Sequence, residues 1–213
     1  KKKKTNKGMW FIEYVGLLYT ANNETTLNES NGVWVDTCKD SDPCLALLDS
    51  GTSYITMPSK EYNTLVDNMS SVGKNCWNSY GQFICPESAL SSLPNLWIQI
   101  HKKAFILTPQ DYMIEDACTS KEGYFCLAIS AIDQMGDHTY IFGDTFLRNY
   151  YVIFDETNNR LGFGSMHLLD DALKRPSNVK SLFSFSLALL KDVFFKNNLK
   201  RISHGHILNL PLS

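Results

Sequence analysis

Short apolar runs separated by polar turns fill most of the chain up to residue 164, and their composition favours strands over helices. Residues 9–18 are rich in aromatic and β-branched side chains and predict a strand pair, which a polar loop at 20–32 follows. Further strands are predicted at residues 33–35, 45–48, 96–100, 103–107, 124–132, 150–154 and 160–164. The pattern predicts a mostly β protein.

One segment has the spacing of a helix. Beyond Ser59, apolar side chains recur every three or four positions through residues 60–69, which predicts a short helix. Ser59 has the side chain expected of an N-cap, because its hydroxyl can accept a hydrogen bond from the first turn. We therefore expect few helices in an otherwise β fold.

Length and hydropathy limit the class of protein. The chain has 213 residues, of which 44% are hydrophobic, enough to bury the core of one domain or of two small ones. No uninterrupted apolar run approaches the ~20 residues that cross a bilayer. An integral membrane protein is not expected.

The formal net charge of −2 hides a strong segregation. Residues 1–7 carry five lysines and no acid, and residues 172–213 carry seven Lys/Arg against one acid, Asp192. Residues 8–171 carry eight Lys/Arg against twenty-one Asp/Glu, a charge of −13. A domain this acidic repels nucleic acids and suits neutral or cationic partners, or a working pH low enough to protonate many carboxylates.

All six cysteines lie within the acidic region, and their even number favours disulfides: Cys38, Cys44, Cys76, Cys85, Cys118 and Cys126. Their spacing lacks the paired C-x2-C pattern of zinc sites, so no metal is predicted. Three N-x-[ST] triplets, at Asn23, Asn28 and Asn68, agree with a secretory route. Because the chain begins with KKKKTNKG, we expect either that a targeting region has been removed or that this is the later part of a longer polypeptide.

The segment with candidate chemistry is an apolar strand that runs into Asp49-Ser50-Gly51-Thr52-Ser53. Ser50 and Thr52 can orient the Asp49 carboxylate by hydrogen bonds, and Gly51 lets a substrate or another backbone approach closely. A second carboxylate brought alongside would share a proton with it. Such a pair can activate water, since one member takes the water's proton while the other protonates the substrate carbonyl or leaving group.

At this point the sequence resembles the pepsin-like aspartic proteases. Their active-site signature is apolar-apolar-Asp-Thr/Ser-Gly-Thr/Ser, which residues 47–53 match throughout. Three later segments match in family order: residues 88–100 resemble the segment ending LP-x-I-x-F, residues 140–151 resemble ILGD-x-FLR-x-YY, and residues 154–164 resemble the closing hairpin. The resemblance covers residues 8–166 and implies a pepsin-like β fold.

These motifs belong to the C-terminal lobe of the family. Family enzymes have two similar lobes that each supply one aspartate to a cleft, and this chain holds no second D-[ST]-G-[ST] sequence. The resemblance implies that Asp49 is one of two catalytic aspartates, supported by Ser50, Gly51 and Thr52. It also implies a peptide or protein substrate, an N-terminal lobe as partner, no cofactor, and an acidic secretory compartment or secretion as the location.

Finer assignments also follow from the resemblance. Asn/Lys-rich composition, the inserted loop at residues 20–32 and the extra cysteines are more similar to plasmepsins than to pepsin. The family pattern implies Cys38–Cys44 and Cys85–Cys118 disulfides, which would leave Cys76 to pair with Cys126; local pairing of 76 with 85 and of 118 with 126 is the alternative.

Four further residues, one in the Asp49 turn and three outside it, carry assignments as well. Ser53 and Ile141 are candidate substrate contacts, with Ile141 on a strand that crosses beside the catalytic loop. Asp144 and Arg148 are interpreted as a structural charge pair rather than as catalytic groups.

Residues 167–213 extend past the end of the family pattern. Residues 181–195 are mostly apolar but contain Lys191 and Asp192, and are too short to span a bilayer. We expect a basic extension that is helical or disordered, with peripheral contact to anionic membranes as a hypothesis. The organisation predicted is a basic leader or linker at 1–7, a lobe at 8–166 and this extension.

Two functions remain open at this stage. The first is an acid-acting aspartic endopeptidase, of which this chain supplies half of the active site. The alternative is a catalytically incomplete binding or structural module derived from a protease. A second signature aspartate upstream of Lys1 would favour the enzyme.

Overall fold

The computed structural model describes residues 9–14, 16–20, 26–27, 31–38, 44–101, 103–115, 122–135, 138–158, 160–165 and 194–195. Its strands are β1 (Phe11–Tyr14), β2 (Gly16–Thr20), β3 (Gly32–Thr37), β4 (Cys44–Leu48), β5 (Ile55–Met57), β6 (Trp77–Ser79), β7 (Gln82–Pro86), β8 (Asn95–Ile100), β9 (Lys103–Leu107), β10 (Met113–Glu115), β11 (Tyr124–Leu127), β12 (Ile129–Ala131), β13 (Thr139–Phe142), β14 (Tyr150–Asp155), β15 (Arg160–Ser165) and β16 (Phe194–Phe195). The α-helices are α1 (Ser59–Val72), α2 (Pro109–Tyr112) and α3 (Asp144–Leu147), and Glu87–Ser92 form a 3₁₀ helix. The mostly β prediction is confirmed.

A five-stranded sheet with the order β1-β4-β13-β5-β12 carries the candidate site. β13 lies between β4 and β5, parallel to β4 and antiparallel to β5. The chain therefore leaves β4, turns through residues 49–54 over the end of β13, and returns in β5. This crossing fixes the turn against a third strand instead of leaving it as an ordinary loop.

The two faces of this sheet have different surroundings, because side chains alternate along each strand. Even-numbered residues of β4 and β13, such as Leu48 and Phe142, join the main hydrophobic core. Odd-numbered Leu47 and Ile141, together with Phe11 of β1, form a separate small cluster on the other side. We call this side the outer face and these three residues the outer cluster.

Three further sheets complete the described fold, with the orders β3-β2-β8-β9, β10-β11-β7-β6 and β14-β15-β16. Helix α1 packs its apolar side, including Tyr62, Leu65 and Met69, into the main core. Its start corrects one prediction, because Ser59 is the first helical residue and the N-cap is Pro58, which makes no side-chain cap. Asp133, far along the chain, accepts the hydrogen bond of the Ser59 amide instead.

The segment predicted as one strand at residues 124–132 forms two. β11 pairs with β7, whereas β12 pairs with β5 in the sheet of the candidate site. Between them, Ala128 donates its amide hydrogen to Tyr112 and accepts one at its carbonyl from Ile55. The strand thus changes sheets at Ala128, which the apolar pattern did not indicate.

The disulfides confirm one predicted pair and correct another. Cys38 bonds Cys44 as expected. Cys76 bonds Cys85, so the predicted Cys85–Cys118 and Cys76–Cys126 bridges are wrong and the first half of the local alternative is confirmed. The reason is the β6–β7 hairpin, whose register pairs Trp77 with Ile84 and so brings the residues just outside it together.

The remaining cysteines are only partly described. Cys126 is also disulfide-bonded, and no cysteine that the structure describes is free. Cys118 lies outside the described residues.

Only residues 194–195 of the C-terminal extension are described. They form β16 beside β15, with Phe195 opposite Leu161, so at these two positions the helical expectation is wrong. The rest of the extension, the leader at 1–7 and the sequons at Asn23 and Asn28 lie outside the described residues. Within the described part of the chain, no helix is long and apolar enough to cross a membrane.

Candidate functional site

Asp49 lies at the end of a strand that is held on both sides. β4 pairs with β1 and β13, and the Asp49 amide donates to the carbonyl oxygen of Phe142 at 3.3 Å. Because Asp49 follows Leu47 by two residues, strand alternation directs its side chain to the outer face. The carboxylate is half-buried there.

The turn after Asp49 closes around its carboxylate. Gly51 donates its amide hydrogen to Oδ1 at 3.0 Å, and the Thr52 hydroxyl donates to Oδ2 at 2.7 Å. The Thr52 amide also donates to the Asp49 carbonyl oxygen at 3.2 Å. A Cβ on Gly51 would lie 3.2 Å from Oδ1, tighter than most side-chain contacts. Each carboxylate oxygen thus has a neutral donor, and within the described part of the chain no cation is bonded to it.

Hydrogen bonds from helix α3 hold the other side of the Asp49 turn. The amide of Asp144 donates to the Thr52 carbonyl at 2.8 Å and that of Thr145 to the Ser53 carbonyl at 3.1 Å. The buried Thr145 hydroxyl lies 3.2 Å from the Ser53 carbonyl oxygen and 3.1 Å from that of Ala128. The backbone of the turn is therefore fixed by a helix start as well as by its own strand.

Gly143 is what allows this close approach. A Cβ at this position would lie 2.2 Å from the carbonyl oxygen of Thr52 and 2.5 Å from that of Tyr54. Real Cβ atoms do not come so near to backbone oxygens, so any other residue would push α3 away from the turn. The Asp49 turn and Gly143 form one packed unit.

The expected charge pair between Asp144 and Arg148 is wrong. The Arg148 guanidinium donates to the carbonyl oxygen of Asp111, and among the described residues no ion pair joins it to Asp144. Asp144 is exposed at the start of α3 and meets Arg148 only through the helix backbone, where the Arg148 amide donates to the Asp144 carbonyl. The short helix turns the two side chains to different neighbours.

The predicted site residues form two groups. Asp49, Ser50, Gly51, Thr52 and Ser53 make one turn, in which Ser50, Gly51 and Ser53 are exposed and Asp49 and Thr52 are half-buried.

The second group lies beside this turn. Ile141 is paired in register with Leu47, two residues before Asp49, and is buried in the outer cluster. The sequence did not single out Phe11 or Met135, which pack on the same cluster. Strand alternation could have identified Phe11, whereas nothing local to Met135 indicated its position.

An apolar groove of about 320 Å³ lies on another side of the turn. Its lining includes Ser50 from the turn and Arg148 beyond α3, and the rest comes from Leu48, Leu147, Tyr150, Tyr151, Val152 and Phe154. Tyr151 is 54% exposed and Phe154 is 44% exposed, although both are large and apolar. Both belong to β14, which is the edge strand of its sheet.

No group of three or more His, Cys, Asp or Glu side chains within the described ranges could hold a metal ion.

A family model described as eukaryotic aspartyl protease matches residues 5–166. The chain is similar to gastricsin of Mus musculus, 34% identical over 119 residues that cover 56% of this chain and 29% of gastricsin. It is also similar to chymosin of Ovis aries, 35% identical over 119 residues (56% of this chain, 28% of chymosin). Cathepsin E of Aquarana catesbeiana is 36% identical over 126 residues (58% of this chain, 29% of that protein). The match spans less than a third of the length of each of these relatives.

Proposed function

The chain belongs to the eukaryotic aspartyl protease family, and from this premise we propose that it is one lobe of an aspartic endopeptidase in which Asp49 supplies one of two catalytic carboxylates. The observation that carries the proposal is the Asp49 carboxylate, held at the end of a buried strand by one neutral donor on each oxygen. Residues 8–166 are the proposed lobe, and residues 1–7 and 167–213 are its leader and extension.

In this proposal the reaction uses water and no covalent intermediate. One carboxylate accepts a proton from the attacking water while the other, protonated, donates to the carbonyl oxygen of the peptide bond. Thr52 and the Gly51 amide orient the Asp49 carboxylate, and the missing side chain of Gly51 leaves room for water and substrate. Ser50 is proposed to connect this turn to the corresponding turn of the other lobe.

The second carboxylate comes from a partner, because this chain has a single D-[ST]-G-[ST] sequence. We propose that the partner is an N-terminal lobe that covers the groove beside Ser50. The exposed aromatic rings of Tyr151 and Phe154 on an edge strand support this, since apolar area of this kind favours burial against another protein surface.

Peptide contacts are proposed for the outer face. Ile141 lies in the outer cluster next to Leu47, and the strand that carries Leu47 leads to Asp49. An apolar substrate side chain would find apolar partners there, while exposed Ser53 offers a hydroxyl at the turn. The cluster is the proposed selecting surface and Asp49 the reacting group.

The cell compartment and the subgroup are also proposals. Two disulfides among the described residues support passage through the oxidising secretory pathway, and the acidic lobe suits an acidic vacuole, secretory organelle or extracellular site. The loop at 20–32 and the extra cysteines support a plasmepsin-like position within the family. We further propose peripheral contact of the basic extension with anionic membranes; vesicle binding that survives deletion of residues 172–213 would contradict it.

Replacing Asp49 by asparagine in the polypeptide that joins this chain to its N-terminal lobe tests the function. We expect peptide cleavage at acidic pH to fall by roughly four orders of magnitude or more, as it does when one member of a catalytic group is lost. Asp67→Asn is the matched control, since Asp67 is an exposed carboxylate on α1. Cleavage that persists in Asp49→Asn would overturn the proposal.

The module hypothesis predicts a different result. A polypeptide with no second signature aspartate, and with no cleavage in either form, would favour a non-catalytic binding module.

A further inference from the structure

The stretch of chain that carries Met135 is held by backbone hydrogen bonds at Ile132 and at His138. At its start, the Ile132 amide donates to the Met57 carbonyl oxygen at 2.8 Å. At its end, the His138 carbonyl accepts from the Leu45 amide at 2.9 Å. Met135, between these anchors, packs against the outer cluster. Met135 therefore covers part of the apolar cluster that adjoins the Asp49 strand.

Asp133 provides a third anchor through its side chain. Its Oδ1 accepts the amide hydrogen of Ser59 at 2.8 Å, and its Oδ2 accepts the Ser59 hydroxyl at 2.7 Å, although the two residues are 74 positions apart. Ser59 begins α1, whose own N-cap, Pro58, has no capping side chain. A carboxylate at this end also interacts favourably with the helix dipole.

The partner of this carboxylate is a rigid one. Helix α1 has 14 residues and is anchored in the main core by Tyr62, Leu65 and Met69. The Ser59 hydroxyl and amide also lower the pKa of Asp133 below its ordinary value, so the carboxylate keeps its charge in mild acid. The hydrogen bonds thus join the exposed segment to a fixed point of the fold.

Met135 needs such an anchor more than other apolar residues would. Its unbranched side chain has three rotatable bonds and fills irregular gaps, so its place is set by the backbone that carries it. Asp133 lies only two residues before it. Without the bond to Ser59, the hydrogen bond of the Ile132 amide would remain at the start of the segment among those of the described residues.

We propose that Asp133 is a positioning residue, which through Ser59 holds Met135 on the outer cluster and so sets the size of the apolar substrate side chain accepted there. This inference rests on the proposed function, because it assumes that the cluster contacts substrate. Phe11, Leu47, Ile141 and Met135 are all apolar, so a surface to which they contribute suits an aliphatic or aromatic substrate side chain.

The position of Met135 is measured directly in the 213-residue chain, with methyl-labelled methionine and NMR. In Asp133→Ala we expect the contacts of the Met135 methyl group with Leu47 and Ile141 to be lost, while those of buried Met57 and Met69 persist. Asp133→Asn keeps a hydrogen-bonding side chain without the charge and should show an intermediate loss. Asp67→Ala removes an exposed carboxylate from helix α1, and it should leave the contacts of the Met57, Met69 and Met135 methyl groups unchanged.

Selection is measured in the joined two-lobe polypeptide, with paired peptides that differ by leucine or phenylalanine at the side chain that occupies the outer cluster. Asp133→Ala should change the ratio of their kcat/KM values by about threefold or more through KM, and Asp67→Ala should not. If Asp133→Ala still folds and its Met135 contacts are unchanged, Asp133 does not position Met135. If the Met135 contacts change but the kcat/KM ratio does not, the position of Met135 does not determine which substrate side chain is selected. Failure of the proposed function has a separate signature, cleavage that survives Asp49→Asn.

Discussion

Two of the described aspartates, Asp49 and Asp155, stand at the end of a strand and accept hydrogen bonds from the turn that follows. Around Asp49 the donors are the Gly51 amide and the Thr52 hydroxyl, which are neutral. Around Asp155 they are the amide and side chain of Asn158 and the Arg160 guanidinium, whose Nε lies 2.6 Å from Oδ2. The donors described at Asp49 are all neutral, whereas one of those at Asp155 is a cation.

This difference in donors distinguishes a carboxylate with a structural role, Asp155, from the proposed catalytic carboxylate, Asp49. Hydrogen bonds from the neutral Asn158 and from the cationic Arg160 lower the pKa of Asp155 to about 2, so this carboxylate stays charged and is bonded to a cation. No cation among the described residues is bonded to Asp49, and its turn is held from outside by α3 and Gly143. A carboxylate that has to share a proton with a second one needs a fixed position without a fixed positive partner.

The largest effect on stability is expected from a substitution at Gly143, which supports the backbone of the Asp49 turn. In Gly143→Ala the new methyl group would collide with the Thr52 and Tyr54 carbonyl oxygens, so we expect a loss of roughly 3 kcal/mol, or a fall in Tm of about 10 °C. Thermal unfolding followed by circular dichroism measures it.

The hairpin of Asp155 supplies the matched control. Gly164 lies in β15, and a Cβ there would meet nothing within 4 Å. We expect Gly164→Ala to change stability by no more than about 0.5 kcal/mol. Equal effects of the two substitutions would show that Gly143 is not what holds the turn.

Local sequence patterns predicted the strands that polar turns separate clearly from their neighbours. The strand at residues 103–107 is β9, and the strands predicted at 150–154 and 160–164 each extend by one residue at the C-terminal end. Three-residue strands such as β5 and β10 were not predicted, because they are too short for the alternation of apolar and polar residues to be recognised. The pairing of Cys76 with Cys85 was misassigned because the β6–β7 hairpin was not recognised.

The Asp49 turn was predictable because its chemistry lies within five consecutive residues. The rest of the site depends on residues far apart in sequence: Gly143 meets the turn across a sheet, and Asp133 meets Ser59 at a separation of 74. Met135 packs on the outer cluster although it is far in sequence from Phe11 and Leu47. Contacts of this kind follow from topology, which a single sequence does not express.

A smaller effect on stability is expected when one of the hydrogen-bond donors to Asp49 is removed. Thr52→Val keeps the shape of the side chain but removes the hydroxyl that lies 2.7 Å from Asp49 Oδ2. We expect a loss of about 1–2 kcal/mol in urea unfolding, because a half-buried carboxylate oxygen loses its donor. Thr52→Ser keeps the hydroxyl and should retain most of the stability. If serine were as damaging as valine, the methyl group rather than the hydrogen bond would be what matters.

The smallest effect concerns the charge of Asp155. Its pKa in the folded chain, about 2, is below the value near 4 of an unfolded aspartate. A lowered pKa means that the charged carboxylate stabilises the fold above about pH 4, and that this contribution is lost as pH falls from there to about 2. Asp155→Asn should therefore have a slightly lower Tm than the unchanged chain at pH 6, and the difference should shrink toward pH 2.

Glu156→Gln tests whether this pH dependence belongs to Asp155 or to any acid in the hairpin turn. Glu156 is exposed and adjacent, so its substitution removes the same charge without removing the bonds to Asn158 and Arg160. We expect its Tm to follow that of the unchanged chain at every pH. A Tm difference for Asp155→Asn that is as large at pH 2 as at pH 6 would contradict the electrostatic explanation, since at pH 2 the carboxylate is already about half protonated. The contrast with Asp49 would then rest on packing alone and not on the charge of the donors.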